Sequence, residues 1–160
     1  DSIFMKPSRA RFYHNLMFYF YAMPFVLTDQ GLNYVEAPPL IRDGKSYPGI
    51  KISFDANIGD APDDNYILYH DPITYKMTWL AYTVTFGKNA PSNNYNYIKY
   101  ADWQTVNGLE LPRTLKWYKA IDNKPTQEAN TLNFSNVVVS PVVPATALFS
   151  ISSTGHYIND

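Results

Sequence analysis

The sequence lacks several features that would place it in a common protein class. It has no cysteine, which excludes disulfide bonds and thiol chemistry. Lysine and arginine number 13 among 160 residues and form no cluster of more than two. A surface that follows a phosphate backbone needs such clusters, so we expect no nucleic-acid partner. The longest apolar run extends from Leu16 to Leu27, which is shorter than the roughly 20 residues that span a bilayer.

Motifs that mark common enzyme and cofactor sites are absent as well. The chain has no G-x-S-x-G elbow, no phosphate-binding glycine loop, no dinucleotide fingerprint and no H-E-x-x-H pair. Its three histidines, His14, His70 and His156, are far apart in the sequence. We therefore predict a protein that is not an enzyme and has no cofactor.

Aromatic residues, in contrast, are abundant. They make up 16% of the chain, with 14 tyrosines, and apolar residues in total reach 46%. Aromatic residues favour strands, and 160 residues are enough for one domain with a substantial core. We therefore expect residues 1–160 to form a single, mainly-β domain.

One apolar helix is predicted over residues 10–29. Its two sides are both apolar, with residues recurring at spacings of three or four: Phe12, Leu16, Phe20, Met23 and Leu27 on one side, and Tyr13, Met17, Tyr21 and Val26 on the other. A helix that is apolar on all sides is expected to be buried. Pro24 should bend or restart this helix, and Gly31 should end it.

The rest of the chain alternates between apolar and polar residues, as strands do. Turn pairs at Asp43–Gly44, Asp71–Pro72 and Asn107–Gly108 separate these strands. Pro112 predicts an edge or a bulge, and the last strand is predicted over residues 127–140. The pattern predicts a mainly-β (α+β) fold, a curved antiparallel half-barrel meander of about seven strands with the helix packed on its concave face.

An apolar cavity between the helix and the sheet is the leading candidate site. The predicted lining is Phe12, Leu16, Phe20, Met23 and Phe25 from the helix, with Leu80, Tyr82, Leu115 and Trp117 from the sheet. The alternative is a filled core without a ligand, in which these side chains pack against each other. Another alternative is a carbohydrate- or protein-binding surface of exposed aromatic residues, for example Tyr95, Tyr97, Tyr100 and Trp103.

Two polar residues accompany this cavity on the helix. Arg11 could bind a ligand carboxylate or phosphate, although an ordinary salt bridge is the commoner role. His14 could act as a general base, but a buried, hydrogen-bonded anchor suits its apolar neighbours better.

A loop rich in aspartate is a weaker candidate, for a metal site. Asp60, Asp63 and Asp64 lie within five residues of each other, and clustered carboxylates can bind a hard cation such as calcium. Their spacing does not match an EF-hand loop, and a solvated turn is the simpler interpretation. We therefore expect no metal.

Six stretches of the chain resemble an uncharacterised family of envelope proteins from Bacteroidetes-type bacteria, described as a domain of unknown function. They are ARFYHNL, FYAMPFVL, GDAPDD, YHDPITYKMTWLAYTVT, VNGLELP and LNFSNVVVS. The order of helix and meander is also similar, less specifically, to the lipoprotein-carrier (LolA-like) half-barrels.

The resemblance implies a location, a ligand and a possible assembly. The family's members are typically lipoproteins or secreted proteins, which implies a periplasmic or outer-membrane-associated protein, tethered through a lipid anchor upstream of Asp1. LolA-like half-barrels hold lipids or acyl chains, which implies a lipid or another hydrophobic small molecule as the ligand. The family's domain is longer, so this chain is expected to be its C-terminal part, and its exposed edge could pair in a homodimer. No catalytic residue is implied.

Overall fold

A computed structural model describes residues 7–56, 58, 61–85 and 90–150, with side chains from residue 12 onward except at 148 and 149. Within these residues, seven strands form one open antiparallel sheet in the order of the sequence, as the alternating pattern predicts. The strands are β1 (Leu32–Arg42), β2 (Lys45–Phe54), β3 (Tyr66–His70), β4 (Met77–Tyr82), β5 (Asn96–Val106), β6 (Leu109–Ile121) and β7 (Lys124–Asn133).

The N-terminal helical segment is divided in two. The helix α1 spans Pro7–Tyr21, and a 3-10 helix follows at Phe25–Thr28, so the predicted single helix over residues 10–29 is wrong in its second half. Proline has no N–H for a helical hydrogen bond, and Pro24 lies just before the point where the chain restarts as a 3-10 helix. The 3-10 helix ends at Thr28, and Gly31, the predicted end, lies three residues further on, with a φ of +80° in the turn before β1.

The predicted hairpin turns are present. Asn107 and Gly108 both have positive φ, which is the conformation of a type I′ turn. Asp43 and Gly44 form the same kind of turn. Between β3 and β4, Asp71 Oδ1 accepts hydrogen bonds from the amides of Ile73 and Thr74, each at 2.9 Å.

A turn that the sequence analysis missed shifts the last strand. Asp122 and Asn123 both have positive φ and join β6 to β7, so β7 begins at Lys124 and ends at Asn133. The predicted strand over 127–140 is therefore wrong at both ends. Phe134 follows the end of β7: its amide still donates a hydrogen bond of 2.8 Å to the carbonyl of Arg113 in β6, and its ring packs against the ring of Tyr21, with 4.1 Å between the ring centroids.

Pro112 lies at an edge, which is one of the two predicted positions. It pairs with Trp103 of β5 on one side. On the other side, β7 reaches only as far as the pair of Thr114 and Asn133. The missing N–H of Pro112 therefore interrupts no ladder between β6 and β7.

The sheet carries a core cluster on each face. On the face that carries α1, here called the helix side, Phe20 and Met23 pack with Leu80, Ile98 and Leu115 of the sheet. The other face, here called the opposite side, holds a second cluster, which the sequence analysis did not predict. Its buried residues are Leu40, Tyr69, Trp79, Ala81 and Tyr97.

The helical segment is buried on one side only. Phe20 and Met23 are fully buried, whereas Phe18 is 63% exposed. The expected burial on all sides is therefore wrong, because the sheet covers one side of α1 and leaves Phe18 on the outer side.

The end of β1 lies close to the start of β7, although these strands form the two edges of the sheet. Arg42, at the end of β1, donates hydrogen bonds from Nη1 to the Pro125 carbonyl (2.7 Å) and from Nη2 to the Thr126 carbonyl (2.9 Å) of β7. In a flat sheet, six strand spacings would separate β1 and β7 by about 29 Å, so the sheet must curl. Arg42 is two residues from Leu40 in β1, so both face the same side of the sheet, and the guanidinium of Arg42 lies over the Tyr118 ring. These corners therefore approach each other on the opposite side.

Candidate functional site

The candidate site is an apolar groove on the helix side, between the 3-10 helix and strands β1–β3. Its volume is about 170 Å³. The lining residues come from the 3-10 segment and from three strands: Pro24, Leu27, Thr28, Tyr34, Ile50, Ile52 and Leu68. A groove of this composition suits an apolar ligand segment.

The groove exists because the 3-10 helix is held against β1. The Tyr34 hydroxyl donates a hydrogen bond of 2.6 Å to the carbonyl of Leu27, and the Thr28 hydroxyl donates one of 2.8 Å to the carbonyl of Phe25. The Tyr34 bond satisfies a backbone carbonyl near the end of a short helix, which has few partners of its own, and the Thr28 bond lies within that helix. The 3-10 helix thereby forms one wall, and the sheet forms the other.

The groove has a buried floor and an accessible rim. Leu27 and Ile52 are 5% and 2% exposed, whereas Tyr34 and Ile50 are 52% and 40% exposed. Exposure of large apolar side chains to water is unfavourable, so a partner or ligand that covers the rim would be stabilised. A ligand can therefore reach the groove from solvent without a rearrangement of the core.

The residues predicted to line a cavity are brought together, but they pack against each other. The ring centroids of Phe20 and Tyr82 are 4.7 Å apart, and those of Phe20 and Trp117 are 6.1 Å apart. The indole of Trp117 donates a hydrogen bond of 3.3 Å to the Tyr82 hydroxyl. Leu80 and Leu115 are fully buried beside them, and Leu16 packs at the edge of the same cluster. None of the nine predicted residues lines the groove.

The remaining helix residues of that prediction lie toward the outside. Phe25 is 43% exposed, and Phe12 is half-buried and makes an edge contact with Tyr13. His14 is exposed and its Nδ1 lies 3.1 Å from the Asn15 side-chain oxygen, so the predicted buried anchor is wrong. The side chain of Arg11 lies outside the described residues.

The alternative of an exposed aromatic surface is wrong for two of its four residues. Tyr97 and Tyr100 are 3% and 2% exposed, and the Tyr100 hydroxyl donates a 2.7 Å hydrogen bond to the carbonyl of Phe20. Tyr97 belongs to the opposite side and Tyr100 to the helix side, because residues an odd number apart in a strand face opposite ways. Tyr95 and Trp103 are half-buried.

The aspartate loop has a structural role in the part that is described. Asp64 is half-buried and its Oδ1 accepts hydrogen bonds from the Thr85 amide (2.7 Å) and hydroxyl (2.9 Å). Burial raises the pKa of this carboxyl, and the bonds from Thr85 oppose that shift. Asp63 is exposed, and Asp60 lies outside the described residues. Among the residues described, no three potential ligands are grouped for a metal ion.

Tyrosines around the helix-side core are held in the neutral form. Burial, assisted by the charge of Asp29, raises the pKa of Tyr19 to about 12. Burial also raises the pKa of Tyr66 and of Tyr100 well above the ordinary value. Near neutral pH these phenols are hydrogen-bond donors or apolar surface rather than bases.

Residues that sequence reasoning missed include Tyr34, Ile50 and Leu68. Ile50 and Ile52 are two residues apart in β2 and therefore lie on one face of the sheet. The position of the wall above them depends on the restart after Pro24 and on the Tyr34 bond to Leu27. The spacing of residues in the sequence does not indicate this hydrogen bond between a strand side chain and the helical segment.

Comparisons with known proteins give one match. The model of a family described as a family of unknown function (DUF6503) matches residues 1–131. No curated protein and no solved structure matches the chain. Separately, none of the helices in the described part of the chain has the length and apolar character needed to cross a membrane.

Proposed function

The chain belongs to the DUF6503 family, and we propose that it binds a hydrophobic ligand, a lipid or acyl chain. The function of the family is unknown, so the proposal is based on the groove of this chain. The observation that supports this proposal is the apolar groove of about 170 Å³ with exposed Tyr34 and Ile50 at its rim. The binding would be non-enzymatic and would need no cofactor.

The size of the groove limits how much of a ligand it can hold. A cavity of about 150 Å³ accommodates a molecule the size of benzene, so this groove suits a chain segment of a few carbons. Each methylene removed from water contributes about 0.8 kcal/mol. The rest of a longer chain would lie over Ile50 and Tyr34 at the rim, where it would cover apolar surface that is otherwise wet.

The cellular setting is part of the same proposal. We propose a protein of the cell envelope, periplasmic or outer-membrane-associated, of Bacteroidetes-type bacteria and related to LolA-like carriers. This rests on the sequence resemblance and agrees with an acyl ligand. A lipid tether upstream and a homodimer formed through the exposed edge strand β1 belong to the same proposal.

The binding can be tested by calorimetric titration with dodecanoate. We expect Ile50→Gln to weaken binding at least about fivefold, because the ligand would bury an amide without a partner. The matched control is Val35→Gln, since Val35 is 60% exposed and lies on β1 outside the groove lining. Absence of dodecanoate binding to the unmodified chain, or equal loss in both variants, would contradict the proposal.

A further inference from the structure

The opposite side of the sheet brings two lysines together above a buried tryptophan. Trp79 pairs with Lys99 across β4 and β5, and Lys99 pairs with Lys116 across β5 and β6. Side chains directly opposite in neighbouring strands share one face. The three residues therefore form a line across adjacent strands.

The charges in this line are unevenly balanced. Lys116 Nζ lies 3.2 Å from Glu128 Oε2, whereas Lys99 Nζ lies 5.5 Å from the centroid of the Trp79 ring. Within the described part of the chain, the ion pairs do not include Lys99. Like charges directly opposite each other in a sheet are destabilising, and Glu128 is ion-paired with only one of these two ammonium groups.

The same place has an excess of hydrogen-bond donors. Trp79 is 1% exposed, and its indole N–H is buried without a hydrogen-bond partner. A buried unsatisfied donor in a native fold needs a physical explanation. The ring that carries this donor lies beside half-buried Lys99, whose Nζ is 5.5 Å from the ring centroid, and beside the Tyr118 ring, whose centroid is 4.8 Å from that of Trp79.

We propose that the opposite side binds an anionic oxygen group, a phosphate or a carboxylate, between Lys99 and Lys116. Such a group accepts hydrogen bonds from both ammonium groups and supplies the negative charge that the pair lacks. Tyr118 and the stem of Lys99 provide apolar surface beside it. This site is separate from the apolar groove, because the two lie on different faces of the sheet.

The first experiment is calorimetric titration of the chain with inorganic phosphate at low salt. Lys99→Met removes the charge and keeps an apolar stem over Trp79. We expect it to weaken phosphate binding roughly tenfold, as expected for the loss of a hydrogen bond to a charged group. Lys116→Met should do the same, while Lys99→Arg should retain binding.

The matched control is Lys76→Met, which removes the same charge from a lysine paired with Glu110 at 2.9 Å. Circular dichroism should show that each variant is folded. If Lys99→Met does not fold, the single variants Lys99→Arg and Lys116→Met still test the proposal. Equal weakening of phosphate binding by Lys76→Met would overturn the proposal, because it would mean that phosphate is attracted by surface charge in general.

A second arm separates a free acid from a lipid head group. Vesicles of phosphatidylcholine with phosphatidylglycerol would bind in a Lys99-dependent way if the source is a lipid phosphate. Binding of inorganic phosphate alone would support a free ligand. Binding to neither probe, or vesicle binding that survives Lys99→Met, would overturn the proposal.

Discussion

Arg42 Nη1 donates a 2.7 Å hydrogen bond to the carbonyl of Pro125, 83 residues further along the chain. The two residues belong to the first and last strands of the sheet, which share no ladder. A second bond, from Nη2 to the Thr126 carbonyl, fixes the orientation of the guanidinium. This contact joins the two edges of a sheet that is otherwise open, above the cluster on the opposite side.

We expect Arg42→Gln to lower the free energy of unfolding by about 1.5–3 kcal/mol, the usual range for hydrogen bonds that involve a charged group. Urea denaturation measures the change. Arg113→Gln is the matched control, because Arg113 is exposed and lies within the same sheet. Equal loss in the two variants would show that Arg42 contributes no more than an ordinary surface arginine.

Gly49 of β2 packs directly against Tyr69 of β3. A Cβ at this position would lie 2.8 Å from a ring carbon of Tyr69, and both residues are buried. We expect Gly49→Ala to destabilise the protein by about 1–3 kcal/mol, as overpacking does.

Combination of Gly49→Ala with Tyr69→Leu tests the cause of that loss. A smaller side chain at 69 makes room for the methyl group, so the double variant should lose less stability than the sum of the single variants. Strict additivity would show that contact with the Tyr69 ring is not the cause.

The hydroxyl of Tyr34 holds the wall of the groove through its bond to the Leu27 carbonyl. We expect Tyr34→Phe to lower the free energy of unfolding by about 0.5–1.5 kcal/mol and to weaken dodecanoate binding. Tyr75→Phe is the control, because Tyr75 is 76% exposed in the turn between β3 and β4. Unchanged stability and binding in Tyr34→Phe would show that this bond does not support the groove.

Stability should fall at alkaline pH. Burial raises the pKa of Tyr19 and of Tyr97 to about 12, against about 10 in an unfolded chain. Between pH 10 and 12 the unfolded state releases phenol protons that the folded state keeps, so the unfolded state is favoured. The contribution of these tyrosines is complete below pH 10 and declines above it.

Urea midpoints at pH 8, 9, 10 and 11 measure this decline. We expect little change attributable to these tyrosines up to pH 9 and a clear fall from pH 10 to 11. Replacement of Tyr97 by Phe should reduce the slope above pH 10. A constant midpoint over the whole range would show that the buried tyrosines ionise as easily in the folded chain as in the unfolded one.

The fold class could be predicted because its signals are local. Asn107–Gly108 selects a turn by its backbone conformation, and Pro112 excludes a ladder through its missing N–H. Alternation correctly placed Leu80 and Tyr82 on one face, and helical spacing correctly placed Phe20 and Met23 against them. Each of these rules depends on residues within a few positions of each other.

The groove and the opposite-side cluster could not be predicted because they depend on how the sheet curls. Alternation shows that Trp79 and Ala81 share a face, but it does not show that Arg42, on the same face, reaches Pro125. The division of the helical segment after Tyr21 moved the candidate site from Phe20 and Trp117 to Leu27 and Ile50. Long-range packing determined both outcomes.

The most direct test of hydrophobic-ligand binding is methyl NMR of the chain titrated with dodecanoate. We expect saturable shifts of the methyl resonances of Leu27, Ile50, Ile52 and Leu68, which line the groove. The methyl resonances of Leu80 and Leu115, in the filled core, should stay nearly unchanged. No shift at the groove residues, or shifts confined to Leu80 and Leu115, would contradict it.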